Sequence, residues 1–271
     1  MKIAFIGGGN MAGALIGGLT GKGFAAADIR VVEITPEARE RLQARFGVAV
    51  YEDMAPAVAG AAVVVLAVKP QQLYPVVKQL ASLLDGQLVL SIAAGVRASD
   101  ISRWLGDYPK VVRAMPNTPS MVSAGISGLF AMPGLSEDER REAQSILDAV
   151  GMTLWLHNES QMDAVTAVSG SGPAYVFYYM QALQEAAQEL GFSSEEARTL
   201  ALETFVGACK LAADSGEDFA LLRAKVTSKG GTTERAILSK EAAGVRAAIV
   251  DGVKAAYARS AELAEELGKA E

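Results

Sequence analysis

Short apolar runs rich in β-branched residues recur through the N-terminal part of the chain: KIAFI, IRVVE, GVAV, AAVVVLAV, QLVLSI, KVVRAM and, ending near Leu156, MTLWL. Amphipathic stretches separate them. Runs that are apolar on both faces need helices on both sides, so the alternation predicts a parallel sheet with crossover helices. The joints carry matching end signals. Thr35 before Pro36 predicts an N-cap and a first-turn proline, Gly47 after RLQARF a helix stop, and Ser136 with Glu139 a capping box.

Beyond His157 the texture changes. Alanine, leucine and glutamate dominate, β-branched runs vanish, and Ser193 with Glu196 supplies another capping box before EARTLALETFVGACKLAAD. The pattern predicts two domains, residues 1–158 built on the sheet and residues 159–271 all helix, joined without a Pro/Gly/Ser-rich linker. Within the second domain, the helix after Pro173 opens with AYVFYYM, apolar or aromatic on every face. Such a helix needs cover all round, from a subunit interface or from a wholly internal core.

The stretch FIGGGNMAGAL sharpens the reading of the first domain. Gly7-x-Gly9-x-x-Ala12 follows a strand and enters a helical run at the first βα joint. Small residues there allow a tight turn, close approach of a pyrophosphate to bare backbone, and tight helix-on-sheet packing. The N–H groups at the helix start would hold the phosphates. Glu33 closes the second strand twenty residues after Gly13, where a ribose-binding carboxylate belongs. These features predict a dinucleotide-binding, Rossmann-like, doubly wound α/β sheet. Two further strand ends face the same crevice, AVKPQ at 67–71 and IAAGV at 92–96. Lys69 is there as a cation beside the cofactor, or as a solvated lysine before a turn proline. RAMPNTP, at 113–119, brings two prolines and an amide to another strand end, as part of a site or as a rigid loop.

Late in the chain, VTSKGGTTERAI places Ser228, Gly230, Gly231, Thr232 and Thr233 before a helix that begins at ERAIL. Backbone N–H groups and hydroxyls converge on that helix start, an anion site suited to a small carboxylate. A bare N-cap is the alternative, and it needs fewer such residues.

Charge and composition exclude several partners. A net charge of −6 with a pI near 5.1 gives no electrostatic ground for nucleic-acid binding. The longest apolar stretch, AVAGAAVVVLAV, has 12 residues, too short to span a bilayer, and glycine comes too early in MKIAFIGGG for a signal peptide. A cytoplasmic protein with no membrane partner is expected. With Cys209 as the single cysteine and His157 as the single histidine, neither an intrachain disulfide nor a thiolate or imidazole metal cage is expected.

Taken together, FIGGGNMA, AVKPQ, RAMPNTP, AVSGSGPAY and VTSKGGTT, in this order and spacing, resemble the pyrroline-5-carboxylate reductase family. The likeness runs from Ile3 to about the end of the last helix, and SGSGPAY and SKGGTT are its most specific parts. It implies an NAD(P)H-dependent reductase of a cyclic imine, the last enzyme of proline biosynthesis, with a Rossmann domain and a helical dimerisation domain. In many relatives the homodimers assemble into a ring. The resemblance implies contacts to NADPH or NADH at Ile6, Gly7, Gly8, Gly9, Asn10 and Met11, at Ala67, Val68, Lys69 and Pro70, and at Ala94 near the nicotinamide. Contacts to the small-molecule substrate fall on Ser228, Gly230, Gly231, Thr232 and Thr233. Thr233 is the candidate catalytic residue, its Oγ hydrogen-bonding the ring nitrogen. An imine that collects its proton from water needs no strong acid, so most of the gain comes from positioning.

Two departures touch the adenosine end: Met54 stands where many relatives have Asn, and Ile34 where many have Arg. Thr35 and Arg39 remain candidates for holding a 2′-phosphate against the repulsion of Glu33. Two other readings share parts of the plan. A β-hydroxyacid dehydrogenase has the same two domains, but similar enzymes carry a lysine where Val176 stands. A non-catalytic NAD(P)-sensing protein would not need the anion site from Ser228 to Thr233.

Overall fold

The computed structural model describes residues 1–269. The first part of the chain runs β1 (Ile3–Ile6), α1 (Asn10–Gly21), β2 (Ile29–Val32), α2 (Pro36–Phe46), β3 (Ala49–Tyr51), α3 (Met54–Val58), β4 (Val63–Leu66), α4 (Pro70–Leu80), β5 (Leu88–Ser91) and α5 (Ala98–Trp104). It continues through β6 (Val111–Met115), β7 (Gly125–Ala131), α6 (Glu137–Asp148) and β8 (Gly151–Trp155). The rest is helical: α7 (Gln161–Val165), a π-helical turn (Thr166–Gly170), α8 (Gly172–Glu189), α9 (Ser194–Ser215), α10 (Phe219–Lys225), α11 (Thr232–Ala242) and α12 (Val245–Gly268).

The strands form one eight-stranded sheet in the order β3-β2-β1-β4-β5-β6-β7-β8. Every neighbouring pair is parallel except β6 and β7. β1, β4 and β5 are buried throughout, and the pleat deals their side chains alternately into two layers. Ile3, Phe5, Val63, Val65, Leu88 and Leu90 belong to one layer, with Leu15, Ile16 and Leu19 of α1 and Ile146 and Leu147 of α6. Ala4, Ile6, Val64, Leu66 and Val89 belong to the other, with Leu73, Val77 and Leu80 of α4 and Ile101 and Trp104 of α5. Full burial of each large aliphatic side chain is worth about 1.5–3 kcal/mol. These two layers are the physical content of the unbroken apolar runs.

β7 lies outside the strands that the apolar pattern predicts. Its sequence, GISGLFA, is poor in β-branched residues because two positions must stay small. A Cβ on Gly125 would lie 2.2 Å from Ser120 Oγ, and one on Gly128 2.9 Å from the Val165 side chain. The connection from β6 contains only a short 3₁₀ turn, Thr118–Val122, too little for a crossover, so β7 returns antiparallel.

Both capping boxes form, at Ser136 and at Ser193, and Gly47 ends α2 in the left-handed conformation at φ 68°. Thr35 does occupy the N-cap of α2 with Pro36 behind it, but its hydroxyl caps nothing. The acceptor at this helix entry is Glu33, whose Oε1 takes the Thr35 N–H at 3.0 Å.

By packing, the chain divides into Met1–Ser171 together with the segment from Ala256, and Gly172–Ala255. Composition changes at 158/159, ahead of this packing boundary, because α7 and the π turn belong with the sheet. Val165 covers Gly128, a Cβ on Gly170 would lie 2.7 Å from Met115 Cε, and Ser260 Oγ of α12 donates to Asp163 Oδ1 of α7 at 2.8 Å. In the second unit no residue of α8 is buried, and Phe177 and Tyr178 are exposed. A wholly internal core helix is therefore excluded for the single chain. Among the described residues no helix is long and apolar enough to cross a membrane.

Candidate active site

The carboxyl ends of β1, β2, β4 and β5 bring Ile6, Glu33, Ala67–Pro70 and Ala94 to one edge of the sheet. Gly7 sits at φ 102°, and a Cβ there would lie 2.9 Å from Ala67 O and 3.0 Å from Val68 Cγ1. Only glycine allows the loop after β1 to lie against the loop after β4. Gly8 is held from the other side, since a Cβ would stand 2.4 Å from Leu42 Cδ1 of α2, whereas one on Gly9 would meet nothing within 4 Å. Gly9 is the N-cap of α1, and among the described residues no side chain caps the helix. The amides of Asn10 and Met11 are thus left to be met from outside the helix. Bare backbone, an open flank and an uncapped helix start fit a dinucleotide diphosphate.

Glu33 lies where a ribose-binding carboxylate belongs, but both its oxygens already have partners. Oε2 accepts the Gly8 N–H at 3.1 Å and Oε1 accepts the Thr35 N–H at 3.0 Å. The side chain staples the glycine loop to the entry of α2. Arg39 is not free to receive a 2′-phosphate: Nη1 donates to Glu33 O at 2.7 Å and Ile34 O at 3.0 Å, and Nη2 pairs with Glu52 at 3.2 Å. Ile34 itself is 74% exposed. Met54 opens α3 half-buried against the second core layer. Lys69 is the N-cap residue of α4, exposed, and makes no ion pair with a described residue.

In the second unit α11 begins at Thr232 with Gly231 as N-cap, two residues earlier than ERAIL suggests. Two amides of the expected anion site are engaged inside the loop: Gly230 N–H donates to Glu234 Oε2 at 2.7 Å, and Gly231 N–H to Ser228 O at 3.0 Å. Among the described residues no side chain caps α11, so the amides of Thr232 and Thr233 and the hydroxyls of Ser228, Thr232 and Thr233 are the groups there that could meet an anion. Glu234 was not singled out by the sequence. Its signal was a glutamate in the first turn of a helix that opens on glycine instead of Ser or Thr. A groove of about 530 Å³ runs beside it, lined by Gly230, Gly231, Glu234, Arg235, Leu238 and Ser239.

The sheet edge, the glycine cradle and the helical second unit define a nicotinamide-dinucleotide-dependent oxidoreductase. Residues 2–95 match the model of the coenzyme F420-dependent NADP oxidoreductase family, and residues 159–263 match that of pyrroline-5-carboxylate reductase dimerisation. The pyrroline-5-carboxylate reductase of Pseudomonas aeruginosa is 49% identical over 99% of this chain and 98% of its own length. A solved pyrroline-5-carboxylate reductase from Coxiella burnetii superposes with a TM-score of 0.92 at 42% identity, covering 97% of this chain and 98% of that one. The Plasmodium falciparum enzyme, solved with NADP bound, shares the fold with a TM-score of 0.87 at 24% identity, over 97% and 98% of the two chains. The chain belongs to the pyrroline-5-carboxylate reductase family. Its dimerisation module makes it a subunit of a homo-oligomer.

Proposed function

We propose that the protein reduces 1-pyrroline-5-carboxylate to L-proline with NADPH or NADH, the last step of proline biosynthesis. One observation carries the reading: the likeness to the Pseudomonas aeruginosa reductase spans 99% of the chain and so includes both the glycine cradle and the SKGGTT loop. The bound coenzyme supplies a hydride to the imine carbon. Gly7, Gly8 and Gly9 keep the backbone bare for its diphosphate, the α1 start at Asn10 and Met11 receives that charge, and Ile6, Ala67, Val68, Lys69, Pro70 and Ala94 line the remaining edge. The Thr232 and Thr233 amides with the Ser228 and Thr232 hydroxyls, on a loop turned by Gly230 and Gly231, hold the substrate carboxylate. Thr233 Oγ1 hydrogen-bonds the ring nitrogen, fixing which carbon faces the hydride. An imine protonated by water before it binds leaves no proton for the protein to deliver, and rate comes from orientation.

Glu33 is the ribose-side residue of this reading. With Arg39 engaged and Ile34 in place of a guanidinium, both coenzymes are accepted and discrimination is weak. The protein acts in the cytoplasm, and its dimers join into a larger ring. The test is to mix the purified protein with pyrroline-5-carboxylate and each reduced coenzyme, following loss of reduced-coenzyme absorbance and formation of proline. Turnover only with β-hydroxy acids and oxidised coenzyme would replace this reading by a dehydrogenase; coenzyme binding without turnover of either would replace it by a sensor.

A further inference from the structure

The loop from Ile92 to Arg97 occupies the carboxyl end of β5, two strands from the glycine loop of β1 in the order β1-β4-β5. Glu33 marks the adenosine side at β2 and the glycine loop the diphosphate at β1, so the far half of a dinucleotide lies along β4 and β5. The loop is built as a solid floor. Ala93, Gly95 and Val96 are buried, and Ala94 between them is half-buried. Gly95 stands at φ 74°, and a Cβ there would lie 3.2 Å from Leu267 Cδ1 of α12.

Its two ends are tied differently. At the front, Ile92 N–H donates to Leu66 O of β4 at 3.1 Å, an ordinary ladder contact. At the back, Ala98 N–H donates to Glu159 Oε1 at 2.5 Å, across 61 residues of sequence. The same oxygen accepts Arg113 Nη1 of β6 at 3.2 Å. The Arg113 side chain is 3% exposed, pairs with no other acid among the described residues, and leaves Nη2 buried without a partner. A buried guanidinium with one carboxylate and an orphaned nitrogen is a poor device for stability, because desolvation offsets most of the attraction. What it does supply is a fixed place: the carboxylate has one position that serves both the guanidinium and the amide at the end of the loop.

We propose that Glu159, anchored by Arg113, is a positioning residue that holds the loop Ile92–Arg97 as the floor against which the nicotinamide is aligned for hydride transfer. The proposal rests on the reductase reading above. The observed partners of Glu159 are the Ala98 N–H and Arg113 Nη1, so its role needs no contact with coenzyme or imine. It acts through Ala98 and the loop.

The test compares wild-type enzyme with Glu159→Gln, which keeps an acceptor oxygen but removes the charge that fixes Arg113, and with Arg113→Lys, which keeps the charge but not the planar fork. Because misplacing reacting atoms by about 1 Å can lower rates about 100-fold, Glu159→Gln is expected to lower kcat at least about tenfold. The Kd of reduced coenzyme, read from its fluorescence, should stay within about twofold, since the glycine cradle is untouched. With coenzyme deuterated at the transferred position, the isotope effect on kcat should rise, and amide exchange in the 92–98 segment of the coenzyme-free protein should quicken. Arg113→Lys should show the same changes in smaller degree. A variant whose melting temperature falls while kcat and the isotope effect keep their wild-type values would overturn the proposal. Should Glu159→Gln not fold, Arg113→Lys is read by the same four measurements against the same outcomes. Absence of imine turnover in the wild-type control would instead overturn the reductase reading.

Discussion

In the sheet unit Phe5, Leu15, Leu66 and Leu73 are fully enclosed between helices, whereas in the helical unit Phe177, Tyr178 and Phe219 stand 64%, 73% and 77% exposed. Only Ala197 and Ala201 are buried on α9, and no residue is buried on α8, α10 or α11. The first unit completes two core layers from its own chain. The second carries a comparable supply of large apolar side chains with little of its own to place over them, and its match is to a dimerisation module. Its stability is therefore expected to depend on protomer concentration more than that of the sheet unit does.

The sharpest way to break this contrast is a charge on α8. Phe177→Asp is expected to abolish assembly and activity together, because an unpaired carboxylate would be buried in an apolar seam. Light scattering and the imine assay check it, and a well-folded active oligomer from this variant would show that α8 is not the interface. A smaller effect is expected within the substrate loop: Thr233→Val should lower kcat/KM by the equivalent of about 1–3 kcal/mol, the loss of one buried hydrogen bond, with coenzyme Kd unchanged. Equal kinetics would remove Thr233 from the mechanism.

On the sheet side, Glu33→Ser combined with Ile34→Arg should shift the ratio of kcat/KM values toward NADPH by at least about tenfold, roughly 1.4 kcal/mol. An unchanged ratio would show that the end of β2 does not read the ribose. The smallest effect sets the two capping boxes side by side. The Ser136 amide and then the Lys110 ammonium, 2.9 Å away, hold the Glu139 carboxyl below its usual range. Ser136→Ala is expected to lower stability by about 1 kcal/mol near neutral pH. Because the folded-state pKa is depressed, the stabilisation is present above the unfolded value of about 4.3 and disappears as pH falls through the lower folded value. Glu196 is lowered first by the Ser193 hydroxyl, with no lysine beside it, so Ser193→Ala should lose stability in a more pH-dependent way than Ser136→Ala, which leaves the Ser136 amide and Lys110 on Glu139. Denaturant melts of both variants across acid pH decide the comparison.

What could be read from sequence follows the range of the forces involved. β1, β4 and β5 announce themselves because both faces of each strand are apolar, and the boxes at Ser136 and Ser193 because partner and cap lie three residues apart. β7 stayed hidden because the residues that keep Gly125 and Gly128 small, Ser120 and Val165, are set by tertiary packing. In the site the glycine loop and the position of Glu33 were legible. The staple that Glu33 makes was not, since its partner amide at Gly8 lies 25 residues away, and the carbonyls that engage Arg39 look like any other backbone until the chain turns at Ile34. Likewise the uncapped start of α11 moved to Thr232 because Gly231 takes the cap position and Glu234 reaches back to Gly230.

The Glu33 staple also constrains how such a chain can change over generations. A replacement of Glu33 also releases the Gly8 amide, which is half-buried, and the Thr35 amide, which is exposed, and with them the tie between the glycine loop and α2. Order then matters. An arginine arriving first at Ile34, which is 74% exposed, perturbs little, whereas loss of the carboxylate first loosens the loop before any new partner exists. On the ribose placement proposed above, a change of coenzyme preference is expected to go through Ile34 first and only then through Glu33.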